Sequence, residues 1–205
     1  IGNRGISNTQ SGIQLSLSLR NQLYNNTGNT TSQFGIVISQ SSNHNVFGNN
    51  TGNATSGAGI TISFSDNNTI ENGTGLSITG PGFQINSGEN NTLRNNTFST
   101  TSGNAFLMAG GSLNNYTNNT IASNSGRAAL LQFGNNNTFT NNSFMSNTAA
   151  ALAFTNSQSN SFVSTRLLTI STWITASATS TANTLNDTLF DAGANGTIRI
   201  TNTTI

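Results

Sequence analysis

The sequence predicts an all-β protein whose chain winds into a parallel β-helix, or β-solenoid, of about nine coils with about 23 residues each. Two observations support this prediction. A motif Asn-x-Φ-x-Asn, in which Φ is apolar, recurs with a first step of twenty-four positions and later steps of twenty-three. Apolar residues within each repeat alternate with small or polar ones, which is the spacing of strands rather than helices. A fixed period of this length is typical of stacked-repeat proteins.

The first Asn of the motif forms a column along most of the chain. Its members are Asn21, Asn45, Asn68, Asn91, Asn114, Asn137, Asn160 and Asn183. Strands of a parallel β-helix pair with their counterparts one coil away, at about 4.8 Å. Stacked Asn side chains can then pass amide hydrogen bonds from coil to coil, so we interpret this column as structural.

The same alternation predicts that the second Asn of the motif also points inward. This second Asn column consists of Asn25, Asn49, Asn72, Asn95, Asn118 and Asn141.

Two apolar columns in register with the motif predict the core. The first is Ile13, Ile36, Ile60, Phe83, Phe106, Ala129, Leu152, Thr175 and Ile198. The second lies two positions later, at Leu15, Ile38, Ile62, Ile85, Met108, Leu131, Phe154, Ser177 and Ile200. A third, late in the chain, is Phe98, Ile121, Phe144, Leu167 and Phe190. Glycine precedes the first column at Gly12, Gly35, Gly59 and Gly82, where we expect a corner with unusual backbone angles.

Runs such as Gly59–Thr74, with the sequence GITISFSDNNTIENGT, resemble right-handed β-helix proteins of the NosD/CASH and pectate-lyase-like type. The resemblance covers about residues 12–190 and implies a right-handed, single-stranded β-helix. That group includes polysaccharide lyases and hydrolases, carbohydrate-binding proteins, and passive surface or fibre modules. The resemblance therefore implies a fold without choosing a function.

We expect one solenoid domain over residues 1–205, with regular coils at 12–165 and atypical coils at 166–205. Trp173 lies in the atypical part, either as an exposed contact or as a packed corner. Only 5% of the residues are charged, lysine is absent and the net charge is +1, which argues against nucleic-acid binding. No apolar run approaches the roughly 20 residues of a membrane span. With no cysteine, disulfides are excluded.

Few residues suit catalysis. Asp66 and Glu89 are one repeat interval apart and should lie on adjacent coils, where two carboxylates could serve a glycosidase or hold Ca²⁺. Arg94 is the nearest cation, although we expect it to pair with Glu71. These weak candidates compete with the interpretation that both acids are solvated turn residues. One histidine and two methionines do not predict a transition-metal site, and no cofactor is expected.

Glycosylation sequons of the form Asn-x-Ser/Thr are dense. Those that we expect to be accessible are at Asn29, Asn53, Asn67, Asn90, Asn115, Asn136, Asn195 and Asn202. The sequons of the second Asn column are excluded because an inward Asn cannot carry a glycan. N-glycans would solubilise a surface with little charge, although Asn-Asn-Thr is also good turn chemistry.

Neither terminus has the sequence of a cap, and Ile1 and Ile205 fall at nearly the same azimuth of the solenoid. Uncovered terminal strands invite another chain to pair. We hypothesise an extracellular structural protein whose copies stack head to tail, through their end coils, into a filament or surface appendage. The alternatives are a carbohydrate-binding or carbohydrate-active β-helix, a passive spacer of a larger adhesin, or one segment of a longer solenoid.

Overall fold

The structure is a computed structural model that describes residues 2–177, 179–192 and 197–200. Strands are the only regular secondary structure of the described chain. They form eight complete three-strand coils and two further strands. Strands of coils one to three are β1 (Arg4–Ser7), β2 (Ile13–Ser16), β3 (Gln22–Tyr24), β4 (Thr27–Thr30), β5 (Ile36–Ser39), β6 (Val46–Gly48), β7 (Thr51–Ala54), β8 (Ile60–Ser63) and β9 (Thr69–Glu71). Coils four to six contain β10 (Thr74–Ser77), β11 (Phe83–Asn86), β12 (Thr92–Arg94), β13 (Thr97–Thr100), β14 (Phe106–Ala109), β15 (Asn115–Thr117), β16 (Thr120–Ser123), β17 (Ala129–Gln132) and β18 (Thr138–Thr140). The remaining strands are β19 (Ser143–Ser146), β20 (Leu152–Thr155), β21 (Ser161–Val163), β22 (Arg166–Thr169), β23 (Thr172–Ala176), β24 (Thr184–Asn186), β25 (Leu189–Ala192) and β26 (Thr197–Ile200).

Every third strand belongs to the same parallel sheet. The first sheet runs from β1 through β4 to β25, the second from β2 through β5 to β26, and the third from β3 through β6 to β24. Pairing is in register, so that Ile60 lies beside Phe83 and Ile70 beside Leu93. The predicted all-β parallel solenoid, with a repeat interval of about 23 residues, is confirmed.

The corner after the third sheet turns on a residue with a left-handed backbone. All six residues of the second Asn column have φ between 52° and 58° and are exposed. The prediction that this column points inward is therefore wrong. Strict alternation fails because a left-handed residue reverses the direction of the next side chain, and Asn is one of the few residues that adopts this conformation readily. The inward residue is the next one along the chain, as at Asn26, Asn50 and Asn96.

The apolar columns line the interior as predicted for coils two to seven. Ile36, Ile62 and Phe83 are at most 2% exposed. In the later coils the interior becomes aromatic: the ring of Tyr116 stacks on Phe139 and that of Phe139 on Phe162, each at 4.5 Å between centroids.

The fully buried Tyr116 hydroxyl has no hydrogen-bond partner among the described residues. Loss of hydration raises the pKa of this phenol well above its usual value.

The glycines before the first apolar column have a different role from the one predicted. Gly35 and Gly59 do not have positive φ angles. A Cβ on Gly35 would lie 2.4 Å from the backbone nitrogen of Asn53, and one on Gly28 would lie 1.9 Å from the carbonyl oxygen of Gly35. Glycine is required there because the first and second sheets approach closely, not because the corner needs a special backbone angle.

The register shifts by one position in the eighth coil. Leu152 pairs with Ile174, one position short of the regular step, and Ile174 pairs with Ile198, one position beyond it. Thr175 and Ser177 therefore do not belong to the apolar columns, and Ile174 and Ala176 take those places. Beside the shift, the half-buried Trp173 has its ring centroid 5.4 Å from that of Phe190, which favours the packed-corner interpretation.

Candidate functional site

The first Asn of each motif forms a hydrogen-bonded ladder, here called the first ladder. The Oδ1 atom of Asn91 accepts hydrogen bonds from the backbone N–H of Asn68 at 2.9 Å and from its Nδ2 at 3.2 Å. The Nδ2 of Asn91 donates to the carbonyl of Ser65 and to Oδ1 of Asn114. The pattern repeats from Asn21 to Asn183. These amides are therefore occupied in holding the coils together.

A second ladder lines the corner after the third sheet, where the sequence pattern predicted a different set of inward residues. Asn119 accepts hydrogen bonds from the backbone N–H and Nδ2 of Asn96, both at 3.0 Å. Its members are Asn3, Asn26, Asn50, Asn96, Asn119 and Asn142, with Gly73 interrupting the series. The signal that could have revealed it is the recurrent Asn-Asn doublet, in which one residue forms the turn and the other fills the interior.

A third ladder, made of hydroxyl groups, lines the corner after the first sheet. Thr100 Oγ1 donates to the carbonyl of Gly80 at 2.7 Å and accepts from the backbone N–H of Gly103 at 3.2 Å. Thr30, Ser77, Ser123 and Ser146 repeat this pattern. Its sequence signal is a column of Ser and Thr at the repeat interval. Each corner therefore satisfies buried backbone groups through stacked polar side chains.

Asp66 and Glu89 lie on adjacent coils, at the corner after the second sheet. Asp66 Oδ1 accepts a hydrogen bond from the backbone N–H of Glu89 at 2.8 Å, and the backbone N–H of Asp66 donates to Oδ1 of Asn43 at 2.7 Å. Glu89 in turn accepts a hydrogen bond from Ser112 at 3.1 Å. The two acids are members of an outer polar ladder, and one carboxylate oxygen of each is already used.

Arg94 does not join this acidic pair. It lies on the third sheet, where its Nε donates to Oε2 of Glu71 at 2.8 Å and its Nη2 contacts the same oxygen. The Arg94 side chain is 55% exposed, so the ion pair is a surface one. The three weak catalytic candidates are therefore not brought together into one cluster.

Two clefts in the described chain lie away from the acids. The larger, of about 420 Å³, follows the corner after the first sheet and is lined by polar and small residues with Arg127 as its charged group. The smaller, of about 280 Å³, crosses the first sheet near Met145. No group of three or more His, Cys, Asp or Glu that could hold a metal ion occurs in the described residues. Over that same part of the chain, no helix has the length and apolarity needed to cross a bilayer.

The predicted glycosylation sites fall into three environments. Asn67, Asn90 and Asn136 are exposed at the corner after the second sheet, with φ between 52° and 56°. Asn115 is exposed on the third sheet itself. Asn29 and Asn53 are half-buried on the first sheet, where Asn53 Nδ2 donates to Asn29 Oδ1 at 2.8 Å. Asn195 and Asn202 lie outside the described residues. So do Ile1 and Ile205, on which the predicted common azimuth of the two ends depends.

A solved structure with a similar fold is that of a bacterial epimerase module. The A-module of mannuronan C-5 epimerase AlgE6 from Azotobacter vinelandii superposes with a TM-score of 0.59 over 97% of this chain, at 16% identity. The chain spans 56% of the length of that module. The surface protein and adhesin PfbA of Streptococcus pneumoniae superposes with a TM-score of 0.38 at 10% identity, over 97% of this chain and 82% of PfbA.

In sequence, no curated protein gives a significant match. The profile of the family described as right handed beta helix region matches residues 58–205, about seven-tenths of the chain. This match agrees with the parallel sheets, the repeated coils and the stacked ladders. The chain belongs to the right-handed β-helix family.

Proposed function

We propose that this protein is an extracellular structural building block, a rigid β-solenoid whose copies stack head to tail into a filament or surface appendage. The observation that carries the proposal is the use of its polar residues. The conspicuous asparagines form ladders, and Asp66 is not a free catalytic carboxylate because its Oδ1 accepts the backbone N–H of Glu89. Amide and carboxylate side chains that a catalytic site would need are instead hydrogen-bonded between neighbouring coils.

The coils have a polarity that supports head-to-tail joining. In both Asn ladders the side-chain oxygen points toward the preceding coil and accepts from the backbone N–H and Nδ2 groups of that coil. At the ladder positions, one face of a coil thus presents oxygen acceptors and the opposite face presents N–H donors. Two copies meeting acceptor face to donor face could reproduce the contact that already holds neighbouring coils together, whereas two like faces could not.

Electron microscopy of the purified protein tests this proposal. We expect filaments that are as wide as a single solenoid and many times longer than a single chain. Their diffraction should show an axial repeat of about 4.8 Å. A population that stays monomeric across a hundredfold range of concentration would contradict assembly. A larger polypeptide that carries this sequence as an internal segment would favour the spacer of an adhesin instead.

A matched pair of variants addresses the joining surface. Leu15 belongs to the inward column of the first coil, whereas Leu17 points outward and is 76% exposed. Leu15→Glu places a carboxylate where a second copy would stack and should abolish filaments. Leu17→Glu adds the same charge to the outer surface and should leave them intact. Equal loss with both variants would indicate a general charge effect rather than end-to-end stacking.

Carbohydrate binding is the second candidate, favoured by one observation. Phe64 is 65% exposed and has φ of 48°, an unfavourable backbone conformation for an aromatic residue, two positions before Asp66. Exposed aromatic rings beside acidic groups suit sugar stacking and hydrogen bonding. The structurally similar epimerase module acts on mannuronan by its name, so uronate polymers are the first ligands to test. Binding or cleavage that survives Asp66→Asn with Glu89→Asn would remove this corner as the site.

A further inference from the structure

We propose that N-linked oligosaccharides are attached along two columns of exposed corner asparagines that border the third sheet. The column after the third sheet is Asn25, Asn49, Asn72, Asn95, Asn118 and Asn141. The column after the second sheet is Asn67, Asn90 and Asn136. The proposal rests on the export of the chain that the proposed function includes, and it includes six sites that the sequence pattern alone had assigned to the interior.

The backbone places each acceptor group in solvent. All nine asparagines have φ between 52° and 58° and are exposed. The residue that follows each one turns inward and is buried, as Asn96 after Asn95 shows. The hydroxyl residue two positions on, Thr97 in that coil, begins the next strand and faces outward. The acceptor amide and the hydroxyl of each sequon therefore lie on the same outer surface. Only the residue between them, such as Asn96, is buried.

The preference of turns for Asn does not explain why a Thr or Ser follows each corner Asn two positions later. The left-handed conformation favours Asn at the corner, but it places no demand on the residue two positions later. At the nine positions with Asn, that later residue is Thr or Ser every time. The equivalent left-handed positions without Asn are Gly2, Arg20, His44, Leu113, Ser159, Ser164, Ala182 and Asp187. Two positions after these come Arg4, Gln22, Val46, Asn115, Ser161, Arg166, Thr184 and Leu189, of which only two bear a hydroxyl. The hydroxyl accompanies the asparagine, as an acceptor sequon requires.

The chemistry is a glycosyl transfer from a lipid-linked oligosaccharide. The bond from C1 of the first sugar to the lipid pyrophosphate oxygen breaks, and a bond from C1 to Asn Nδ2 forms. The amide loses one proton, and the pyrophosphate leaves on its lipid. The acceptor amides are exposed, and the one contact among them that the described residues show, from Asn118 Nδ2 to Oδ1 of Asn95 at 3.3 Å, lies at the surface. Each substituted amide keeps one N–H and its carbonyl, so the fold is not disturbed.

The coil spacing limits how many sites one molecule can fill. Neighbouring acceptors within a column are about 4.8 Å apart, close to the thickness of a single sugar ring. Branched glycans cannot stand side by side at that distance on every coil. We therefore expect each site to be partly occupied, with glycans on one molecule staggered along and between the columns.

Two further sequons serve as internal controls. Asn53 is half-buried, its Oδ1 is inaccessible to solvent, and its Nδ2 donates to Asn29 at 2.8 Å. A glycan on Asn53 would crowd or break that contact, so both residues should stay unmodified. This expectation separates the corner columns from a general modification of every sequon in the chain.

The test is mass spectrometry of peptides from the protein purified from the cells that produce it, with enzymatic glycan release in ¹⁸O-water to mark each site. We expect marked Asp at the nine corner positions and none at Asn53. A secreted Thr97→Ala variant should lose the glycan on Asn95, whereas Thr97→Ser should keep it, with unchanged circular dichroism in both. Unmodified asparagine at all nine corners would overturn the proposal. Microscopy separates the outcomes, because bare filaments contradict only the glycan columns and glycosylated monomers contradict only the assembly.

Discussion

Replacing one rung of the first ladder tests the origin of the solenoid's stability. Asn91 is fully buried, and its Nδ2 donates to the carbonyl of Ser65 at 3.1 Å and to Oδ1 of Asn114 at 3.2 Å. Asn91→Asp keeps the shape and the acceptor but removes both donors. The ionised carboxylate of this variant would place one oxygen, in the position of Nδ2, against the two acceptor oxygens of Ser65 and Asn114, away from solvent.

The cost can be bounded from these contacts. Protonating the carboxyl at pH 7, against a usual pKa of about 3.9, costs roughly 4 kcal/mol at about 1.36 kcal/mol per pH unit. The protonated group donates to only one of the two acceptors, and an unpaired buried acceptor costs about 1–3 kcal/mol. We therefore expect a loss of roughly 5–7 kcal/mol at pH 7 and of roughly 1–3 kcal/mol near pH 4.

The sign of the pH dependence follows from the raised pKa of the buried carboxyl. Such a group destabilises least below its unfolded pKa, and the penalty grows as the pH rises toward its folded pKa. Acidification should therefore restore part of the stability of the variant. Wild type has only 5 acidic residues and 1 histidine, which keeps its own pH dependence small.

Urea-induced unfolding at pH 4 and pH 7, followed by circular dichroism, measures the effect. The matched control is Asn90→Asp, which makes the same change at the exposed neighbouring residue. The control should differ from wild type by less than about 0.5 kcal/mol at both pH values. If both variants were equally stable at pH 7, the ladder would not hold the coils together in the way described.

Three further outcomes follow from individual side chains. Tyr116→Phe removes an unpartnered buried hydroxyl and should be neutral or stabilising by about 1 kcal/mol in urea unfolding. Because burial raises the pKa of Tyr116, the folded state holds the phenol proton more tightly than the unfolded chain does, so wild type loses stability as the pH rises above about 10 and the variant should resist alkaline unfolding better. Leu113→Gly relieves a φ of 59° on an exposed residue and should raise the free energy of unfolding by about 1 kcal/mol. Glu71→Gln removes the surface ion pair with Arg94 and should lower stability by less than about 1 kcal/mol, an effect that disappears at high salt in thermal melts.

The architecture was predictable because the repeat is almost exact. Equal steps between Asn68, Asn91 and Asn114 require equivalent positions to lie over one another, and only a stacked solenoid satisfies this. The alternation rule then failed at Asn72 and its equivalents, because a single left-handed residue reverses the inward and outward directions of the side chains that follow it. The same error misplaced six sequons in the interior and hid the ladder that begins one position later.

Other features depend on distances that a period cannot supply. The shortened step from Leu152 to Ile174 is compensated by the next step, so the mean period gives no sign of it. The separation of Asp66 and Glu89 by one coil correctly predicts adjacency, but not that the Asp66 side chain accepts the backbone N–H of Glu89. Pairing at the repeat interval predicts which groups are neighbours and leaves open what else those groups bond to.

The nearly constant step between coils also bears on how the chain reaches its native state. Adding a coil closes a loop of nearly the same length each time, so the entropic cost of every addition is about the same however long the rod becomes. Each coil contacts only its neighbouring coils, so folding can begin at one coil and spread to the next one along the chain. A polypeptide whose amino end is free first can therefore wind up turn by turn while the remainder is still extended.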